Sequence, residues 1–230
     1  FMDDDIFFQP RCMELMWAAI EKHDETCGVT PTYHGYGYHQ PGFLGRIVMG
    51  LLNGKPLPNY AGKVLGPGFT QLPEDSNDRP SIVPIDWMGS GCALYRRESL
   101  PLPPFPERFQ GASLFEDLCL SLTAGKRGQL VNARLARAIH AEEGGEHKKG
   151  RHRLAKMEIV NRYFIMRRVL DRHSVADHLR FLVMIGYMTT GAFKSPRKWL
   201  QLPAHLLGLI AGAISICWHF GSFRSDENDR

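Results

Sequence analysis

The spacing of apolar residues changes near residue 150, and this change divides the chain into two parts. Before residue 150, segments with helical spacing alternate with segments rich in β-forming residues, whereas every later apolar segment has helical spacing. Met13, Met16, Trp17 and Ile20, for example, follow one another at helical intervals and predict a helix over 10–23. The sequence therefore predicts an α/β fold over residues 1–150 and a helical extension over residues 151–230.

The remaining segments follow from the same criteria and from the positions of Gly and Pro. Further helices are predicted over 44–52, 115–124, 154–165, 175–192 and 202–220. Strands are predicted in 28–42, in 82–94 and, as one or two strands, in 129–140. The stretches 54–80 and 144–153 are rich in loop-forming or polar residues and indicate loops.

Composition limits the classes of function. Hydrophobic residues make up 43% of the 230 residues, which is enough to form a core, and the net charge of +4 is too small to indicate a nucleic-acid-binding surface. The five cysteines show no C-x-x-C spacing, so neither a disulfide framework nor a structural zinc site is expected, and the cytoplasm is the predicted compartment.

The apolar run 206–218 has 13 residues, fewer than a membrane span needs. It predicts a packed helix or a peripheral contact with the inner face of the cell membrane.

Three acidic residues lie near the beginning of the chain. Asp3, Asp4 and Asp5 follow Phe1-Met2, which we interpret as the last residues of a strand that begins upstream. Carboxylates this close repel one another unless a cation neutralises them, and their oxygens suit Mg²⁺ or Mn²⁺. The alternative is an acidic cluster that stabilises the N-terminus of the helix beginning near Pro10.

Four later segments also contain side chains that could bind a ligand or a metal or take part in catalysis. Trp87 with Gly89, Ser90 and Gly91 could form the wall of a ligand site or a simple turn. Glu116-Asp117 offers a general base with a neighbouring acid or an ordinary helix start. His140 could complete a metal site or lie at the surface. The basic stretch 147–153 could stabilise a phosphate leaving group or be a solvated loop.

Taken in order, these pieces resemble the pattern of glycosyltransferase family 2. The pattern comprises an apolar strand running into D-x-D, a W-x-x-G segment followed by R-R-E, an E-D pair at a helix start, and a strand ending in A-x-x-x-H. Here its members are Phe1–Asp5, Trp87–Gly91, Arg96–Glu98, Glu116-Asp117 and Ala136–His140, with Phe105–Phe109, Gly125 or Gly128 and Asn161–Phe164 as further matches. The resemblance covers about residues 1–170.

The resemblance implies a partial GT-A fold that lacks its N-terminal nucleotide-binding strands, so the chain alone is expected to be inactive. It implies Asp117 as catalytic base with Glu116 in support, and a Mn²⁺ or Mg²⁺ site formed by Asp3, Asp5 and His140. Asp3, Trp87, Gly89, Ser90 and Gly91 are expected at the donor and acceptor site, with Arg151 or Arg153 closing on the diphosphate. The implied reaction transfers a hexosyl or deoxyhexosyl group, with inversion, from a nucleotide-diphosphate sugar to a glycan or lipid-linked acceptor in polysaccharide biosynthesis.

Two other functions stay open from the sequence. A different metal-nucleotide enzyme, such as a nucleotidyltransferase, would also use an acidic pair at a strand end. A non-catalytic interaction domain or an inactive fragment would need none of these side chains. Metal-dependent binding of nucleoside diphosphates separates the last possibility from the enzymes.

Overall fold

The chain forms a mixed sheet covered by helices, which confirms the predicted α/β class. This computed structural model describes residues 1–75, 80–89, 91–109, 113–141, 150–194 and 196–218. Within these ranges, seven strands occupy Ile6–Phe8 (β1), Thr26–Tyr33 (β2), Val64–Leu65 (β3), Phe69–Thr70 (β4), Ile82–Ile85 (β5), Leu94–Tyr95 (β6) and Gln129–His140 (β7). Six α-helices in the same ranges occupy Cys12–Lys22 (α1), Phe43–Asn53 (α2), Glu116–Ala124 (α3), Arg151–Phe164 (α4), Val175–Thr190 (α5) and Pro196–Trp218 (α6).

The long strand β7 organises the main sheet. β2 pairs with β7 in parallel, and β6 pairs with the outer edge of β2 in antiparallel orientation. On the other edge of β7, β5 pairs with residues 130–133 and β1 pairs with residues 138–140. Because β2 and β7 are parallel, their carboxyl ends, Tyr33 and His140, lie at the same end of the sheet.

The first three residues pair with the segment after Gly89. Met2 forms an isolated antiparallel bridge with Cys92, and the Asp3 amide donates a 2.9 Å hydrogen bond to the Gly91 carbonyl. The extended chain then turns and enters β1, in which Ile6 lies opposite His140. These two pairings hold the acidic residues between the Gly91 segment and the carboxyl end of β7.

Buried apolar side chains form two main clusters. The first lies between α1 and the sheet and includes Met16, Val29 and Val131. The second contains Leu52 of α2 together with Tyr163 and Met184 and other side chains of α4, α5 and α6. The helical extension therefore shares a core with a helix of the first 150 residues, and the two-part domain division stays a prediction.

Residues 129–140 form one continuous strand, which is one of the two arrangements predicted for this segment. Two other segments depart from the sequence prediction. A short hairpin, β3–β4, lies inside the segment 54–80 that the sequence predicts as loop. Residues 151–153, predicted as the end of a basic loop, form the first turn of α4, since arginine is a good helix former despite its charge.

The last helix is longer than the sequence indicates. It begins at Pro196 rather than at residue 202, because proline is tolerated in the first turn, where its missing N–H has no partner in any case. The segment Lys198–Trp218 is long and apolar enough to cross a membrane by length and composition alone, in contrast to the short run counted in the sequence. Core helices of soluble proteins pass the same test, so the relation of α6 to a membrane depends on its packing.

Candidate functional site

Three side chains at the carboxyl end of β7 could together hold a metal ion. The structure brings together one ligand atom each from Asp3, Asp5 and His140, and these atoms lie within 4.8 Å of one another. His140 is the last residue of β7, and Asp5 directly precedes β1, whose first residue pairs with His140. The register of β1 on β7 therefore creates the cluster.

Asp5 is the best-oriented member of the cluster. Its Oδ2 lies 3.2 Å from His140 Nε2, while its Oδ1 is buried and has no hydrogen-bond partner among the described residues. A buried carboxylate oxygen without a partner costs free energy that a bound cation would remove. Two carboxylates and one imidazole suit a divalent cation such as Mn²⁺ or Mg²⁺, so these residues fit the expected group.

The acidic pair Glu116-Asp117 begins α3, and the backbone before it is strained. Ser113 and Phe115 both adopt positive φ angles, of 47° and 69°, which side-chain-bearing residues rarely do. Such strain persists only where surrounding contacts impose it, and it is concentrated at functional sites. The helix turn that follows places Asp117 beside Gly89.

The two oxygens of Asp117 have different surroundings. Oδ1 accepts a 2.7 Å hydrogen bond from the Leu118 amide, which fixes the rotation of the carboxylate. Oδ2 points toward Gly89, where a Cβ atom would lie 3.9 Å from it. Asp117 therefore presents one carboxylate oxygen to the space beside Gly89.

Glu116 has a raised pKa. Burial is the largest cause, a hydrogen bond with Ser113 opposes it, and the negative charges of Asp117 and Asp3 add to the rise. The geometry beside Glu116 is given by two glycines: Gly89 lies against Asp117 and Gly91 lies against Asp3. Acids from α3 and from the beginning of the chain therefore lie along the same segment.

Two residues of α4 hold the segment before the acidic pair. The Asn161 side-chain amide donates a 2.9 Å hydrogen bond to the Leu114 carbonyl. The Arg162 guanidinium lies 3.9 Å from the centre of the Phe115 ring, and this residue is only 4% exposed. Burial is the main reason for the lowered pKa of Arg162, whereas Glu158 and Asp117 act in the opposite direction. A buried cation of α4 therefore packs against the strained turn on the side of Phe115.

The Trp87–Gly91 segment forms the opposite side of the site, and hydrogen bonds fix its first two residues. The Trp87 indole N–H donates a 2.8 Å hydrogen bond to the Gln71 carbonyl. The Met88 amide donates to the Ser121 hydroxyl of α3, and this hydroxyl donates in turn to the Met88 carbonyl. The segment is therefore tied directly to the helix that carries the acidic pair.

The glycine at the end of this segment lies against the acids. A Cβ atom on Gly91 would lie 3.4 Å from Asp3 Oδ2. Glycine thus allows the backbone to approach the acids closely. Ser90, also predicted to bind the donor or acceptor, lies outside the described residues.

A cavity of about 170 Å³ opens beside this site. Its walls include the aromatic rings of Tyr33, Tyr36 and Trp87, and His140 and Gly89 border it. Burial raises the pKa of the Tyr33 phenol, with Cys92 and Asp3 contributing, so Tyr33 is neutral at physiological pH. Flat aromatic walls beside a few polar groups are typical of small-molecule sites.

The two arginines predicted to close on a phosphate lie in a helix and not in a loop. Arg151 and Arg153 lie in the first turn of α4, and Arg151 is near His205 of α6, whose pKa is lowered by burial and, to a smaller extent, by this cation. The prediction that they belong to a mobile basic loop is wrong for these two residues. Residues 147–149 of that stretch lie outside the described part of the chain.

Sequence reasoning did not identify Tyr33, Tyr36 and Arg162 as site residues. The two tyrosines belong to a Gly-, Tyr- and His-rich stretch whose composition was the available signal. Arg162 stands in the Asn161–Phe164 segment, to which the sequence assigns a resemblance but no role. Its burial beneath Phe115 depends on how α4 packs and has no local signal.

Comparisons with models of protein families, with curated proteins and with solved structures find no match to this chain. The functional assignment therefore depends on the geometry of the site and on the chemistry of its side chains.

Proposed function

We propose that this chain carries the metal and acceptor side of an inverting glycosyltransferase with a GT-A fold, of the family 2 type. One observation carries the proposal: two acidic groups from opposite ends of the site converge on the Gly89–Gly91 segment. Asp3 and Asp5 meet His140 within 4.8 Å, and Asp117 directs Oδ2 toward Gly89. Glycosyl transfer from a nucleotide diphosphate needs these two elements, a cation site for the leaving group and a base for the attacking hydroxyl.

The bound divalent cation would supply charge neutralisation for the diphosphate leaving group. Asp5 and His140 would hold the cation from the carboxyl end of β7, and Asp3 would do so from the Gly91 side. Because the leaving group is a phosphate, no protonating acid is needed, in contrast to glycoside hydrolases.

Asp117 acts as the general base in this proposal. Its Oδ1 is held by the Leu118 amide, so Oδ2 is oriented to accept the proton of an acceptor hydroxyl placed beside Gly89. The deprotonated hydroxyl attacks the anomeric carbon as the carbon–phosphate-oxygen bond breaks. A single displacement of this kind inverts the configuration.

Glu116 is the supporting acid beside the base. Burial and the neighbouring acids raise the pKa of Glu116, because both disfavour its charged form. The aromatic cavity of Tyr33, Tyr36 and Trp87 offers flat surfaces on which a sugar or a base can stack. These features support a carbohydrate or nucleotide ligand without identifying the sugar.

The test combines binding with turnover. Because the chain alone is expected to be inactive, both assays use it joined to the nucleotide-binding strands that the resemblance implies. Mn²⁺-dependent binding of nucleoside diphosphates is measured by calorimetry, and a panel of nucleotide sugars is screened for release of nucleoside diphosphate. We expect Asp5→Asn to lose the Mn²⁺-dependent binding, and Asp117→Asn to keep it while turnover falls by about 10²–10⁴-fold. Asp24→Asn, an exposed acid in the turn after α1, is the matched control.

Each alternative gives a different result. Release of pyrophosphate from nucleoside triphosphates in place of nucleoside diphosphate would favour a nucleotidyltransferase. Absence of any metal-dependent nucleotide binding would refute the proposal and favour a non-catalytic domain. Binding that survives Asp5→Asn would show that the metal site is elsewhere.

A further inference from the structure

One side of α6 exposes only apolar side chains. The exposed positions recur at intervals that place them on one side of the helix, and Leu207 and Ile214 in its middle are 58% and 54% exposed. No Asp, Glu, Lys or Arg occurs between Trp199 and Trp218. We call this surface the α6 stripe; its members are Trp199, Leu206, Leu207, Ile210, Ile214 and Trp218.

The opposite side of α6 is fixed against α4. Gly208 and Gly212 lie so close to α4 that a Cβ atom would overlap the His152 carbonyl in one case and the Ile159 side chain in the other. Small residues four positions apart let two helices approach closely. The α6 stripe therefore points away from the core and cannot be buried by rotation of the helix.

Two other helices that contribute to the same apolar cluster as α6 repeat the pattern. On α5, Phe181 and Met184 enter the core, while the exposed side carries Val175, Leu179, Leu182 and Val183. On α2, Met49 and Leu52 are buried, while Phe43, Leu44, Ile47 and Leu51 are exposed. Exposed apolar surface on this scale marks an interaction site in a folded protein.

The charge of this part of the chain indicates an anionic partner. Residues 151–218 contain eleven Lys or Arg residues and three Asp or Glu residues, although the whole chain has a net charge of only +4. Arg151, Arg153, Lys156 and Lys198 are exposed on α4 and α6. An apolar stripe with tryptophan at both ends, close to exposed cations, matches the boundary between the headgroups and acyl chains of an anionic membrane.

The packing of α6 determines its orientation. If α6 crossed the bilayer, α4 would follow it, and the cations Arg151, Arg153 and Lys156 would enter the hydrocarbon at a high cost. Lying in the plane of the membrane buries the α6 stripe and leaves these cations among the headgroups.

We propose that α6 lies in the surface of an anionic phospholipid bilayer with the α6 stripe buried. The proposal is independent of the proposed transferase activity. It would place the site beside a membrane, whatever the site does.

The test measures binding of the whole chain to vesicles of phosphatidylcholine, alone or mixed with phosphatidylglycerol, by flotation. We expect binding to the mixed vesicles that weakens as salt is added. The double variant Leu207→Gln/Ile214→Gln should bind at least about tenfold more weakly, since two exposed aliphatic groups no longer enter the acyl region. Leu102→Gln/Leu135→Gln, at exposed leucines outside the helices, is the matched control and should bind like the parent chain.

Quenching by lipids brominated at different depths tests the orientation. Quenching of Trp199 and Trp218 by shallow bromines alone, lost in a Trp199→Phe/Trp218→Phe variant, supports the proposal. Equal quenching by bromines at the bilayer centre would overturn the in-plane orientation.

Three further results would overturn the proposal. The first is that the chain does not bind mixed vesicles, and the second is that the control variant loses as much binding as the Leu207→Gln/Ile214→Gln variant. The third is that light scattering shows a dimer that disappears in the Leu207→Gln/Ile214→Gln variant, while no vesicle binding is seen. The last result would show that a second copy of the chain covers the α6 stripe. Circular dichroism of each variant verifies that the fold is retained, as expected for changes at exposed positions.

Discussion

Replacement of Arg162 by methionine removes the buried cation that supports the acidic pair. The Arg162 side chain donates to the buried Gly68 carbonyl, covers the Phe115 ring at 3.9 Å and lies 3.6 Å from a Glu158 oxygen. Methionine keeps much of the aliphatic volume but offers no donor and no charge. The change therefore isolates the polar contribution of this residue.

The magnitude follows from the contacts with the Gly68 carbonyl and the Phe115 ring. A buried carbonyl left without a donor costs about 1–3 kcal/mol, and a desolvated cation–π contact contributes about 2 kcal/mol. The variant no longer buries a charged guanidinium, and this offsets part of the loss of stability. We expect Arg162→Met to lower the free energy of unfolding by about 2–4 kcal/mol.

Urea unfolding followed by circular dichroism measures this loss, and hydrogen exchange reports on the strained turn. Arg97→Met, at an exposed arginine in the 3₁₀ turn Arg97–Ser99, is the control and should change stability by less than about 0.5 kcal/mol. Exchange across residues 113–118 should become faster only in Arg162→Met. A loss below about 1 kcal/mol, or an unchanged exchange rate in this turn, would refute the assigned role.

Two further predictions concern the acid at the site and the packing of the last helix. Because the pKa of Glu116 is raised in the folded chain, its stabilising contribution is complete below the pKa of the unfolded chain and is lost as pH rises through the folded value. In urea titrations, Glu116→Gln should therefore be more stable than the parent at pH 7, with no difference near pH 4. Gly212→Ala should lower the free energy of unfolding by about 1–3 kcal/mol, because the new methyl group overlaps Ile159. Gly186→Ala, which has open space on α5, should raise it by up to about 1 kcal/mol, and equal effects at the two glycines would contradict the close packing of α6 on α4.

Helices with regular apolar spacing are predicted well from the sequence. The bounds of α1, α2, α3 and α5 agree with prediction to within about two residues, since spacing and caps are local properties. At the start of α5, the Ser174 hydroxyl accepts from the Asp177 amide while the Asp177 carboxylate accepts from the Ser174 amide, as the S-x-x-D spacing indicates.

Predictions that depend on charge or on proline are less successful. The basic residues at 151–153 indicate a solvated loop, yet helix propensity and packing against α6 place them in α4. Pro196 indicates an interruption, but it begins α6. In both cases the residue type permits two conformations, and the contacts of the folded chain select one.

The sequence by itself determined which side chains could carry chemistry: the opening acids, the Glu116-Asp117 pair at a helix start, and a histidine at a strand end. Only the tertiary structure decided that Asp5 meets His140, 135 residues away, because that contact depends on the register of β1 on β7. The burial of Arg162 beneath Phe115 and the outward direction of the α6 stripe were likewise decided by helix packing. Local spacing specifies which side of an element is apolar, whereas pairing between distant segments decides what that side meets.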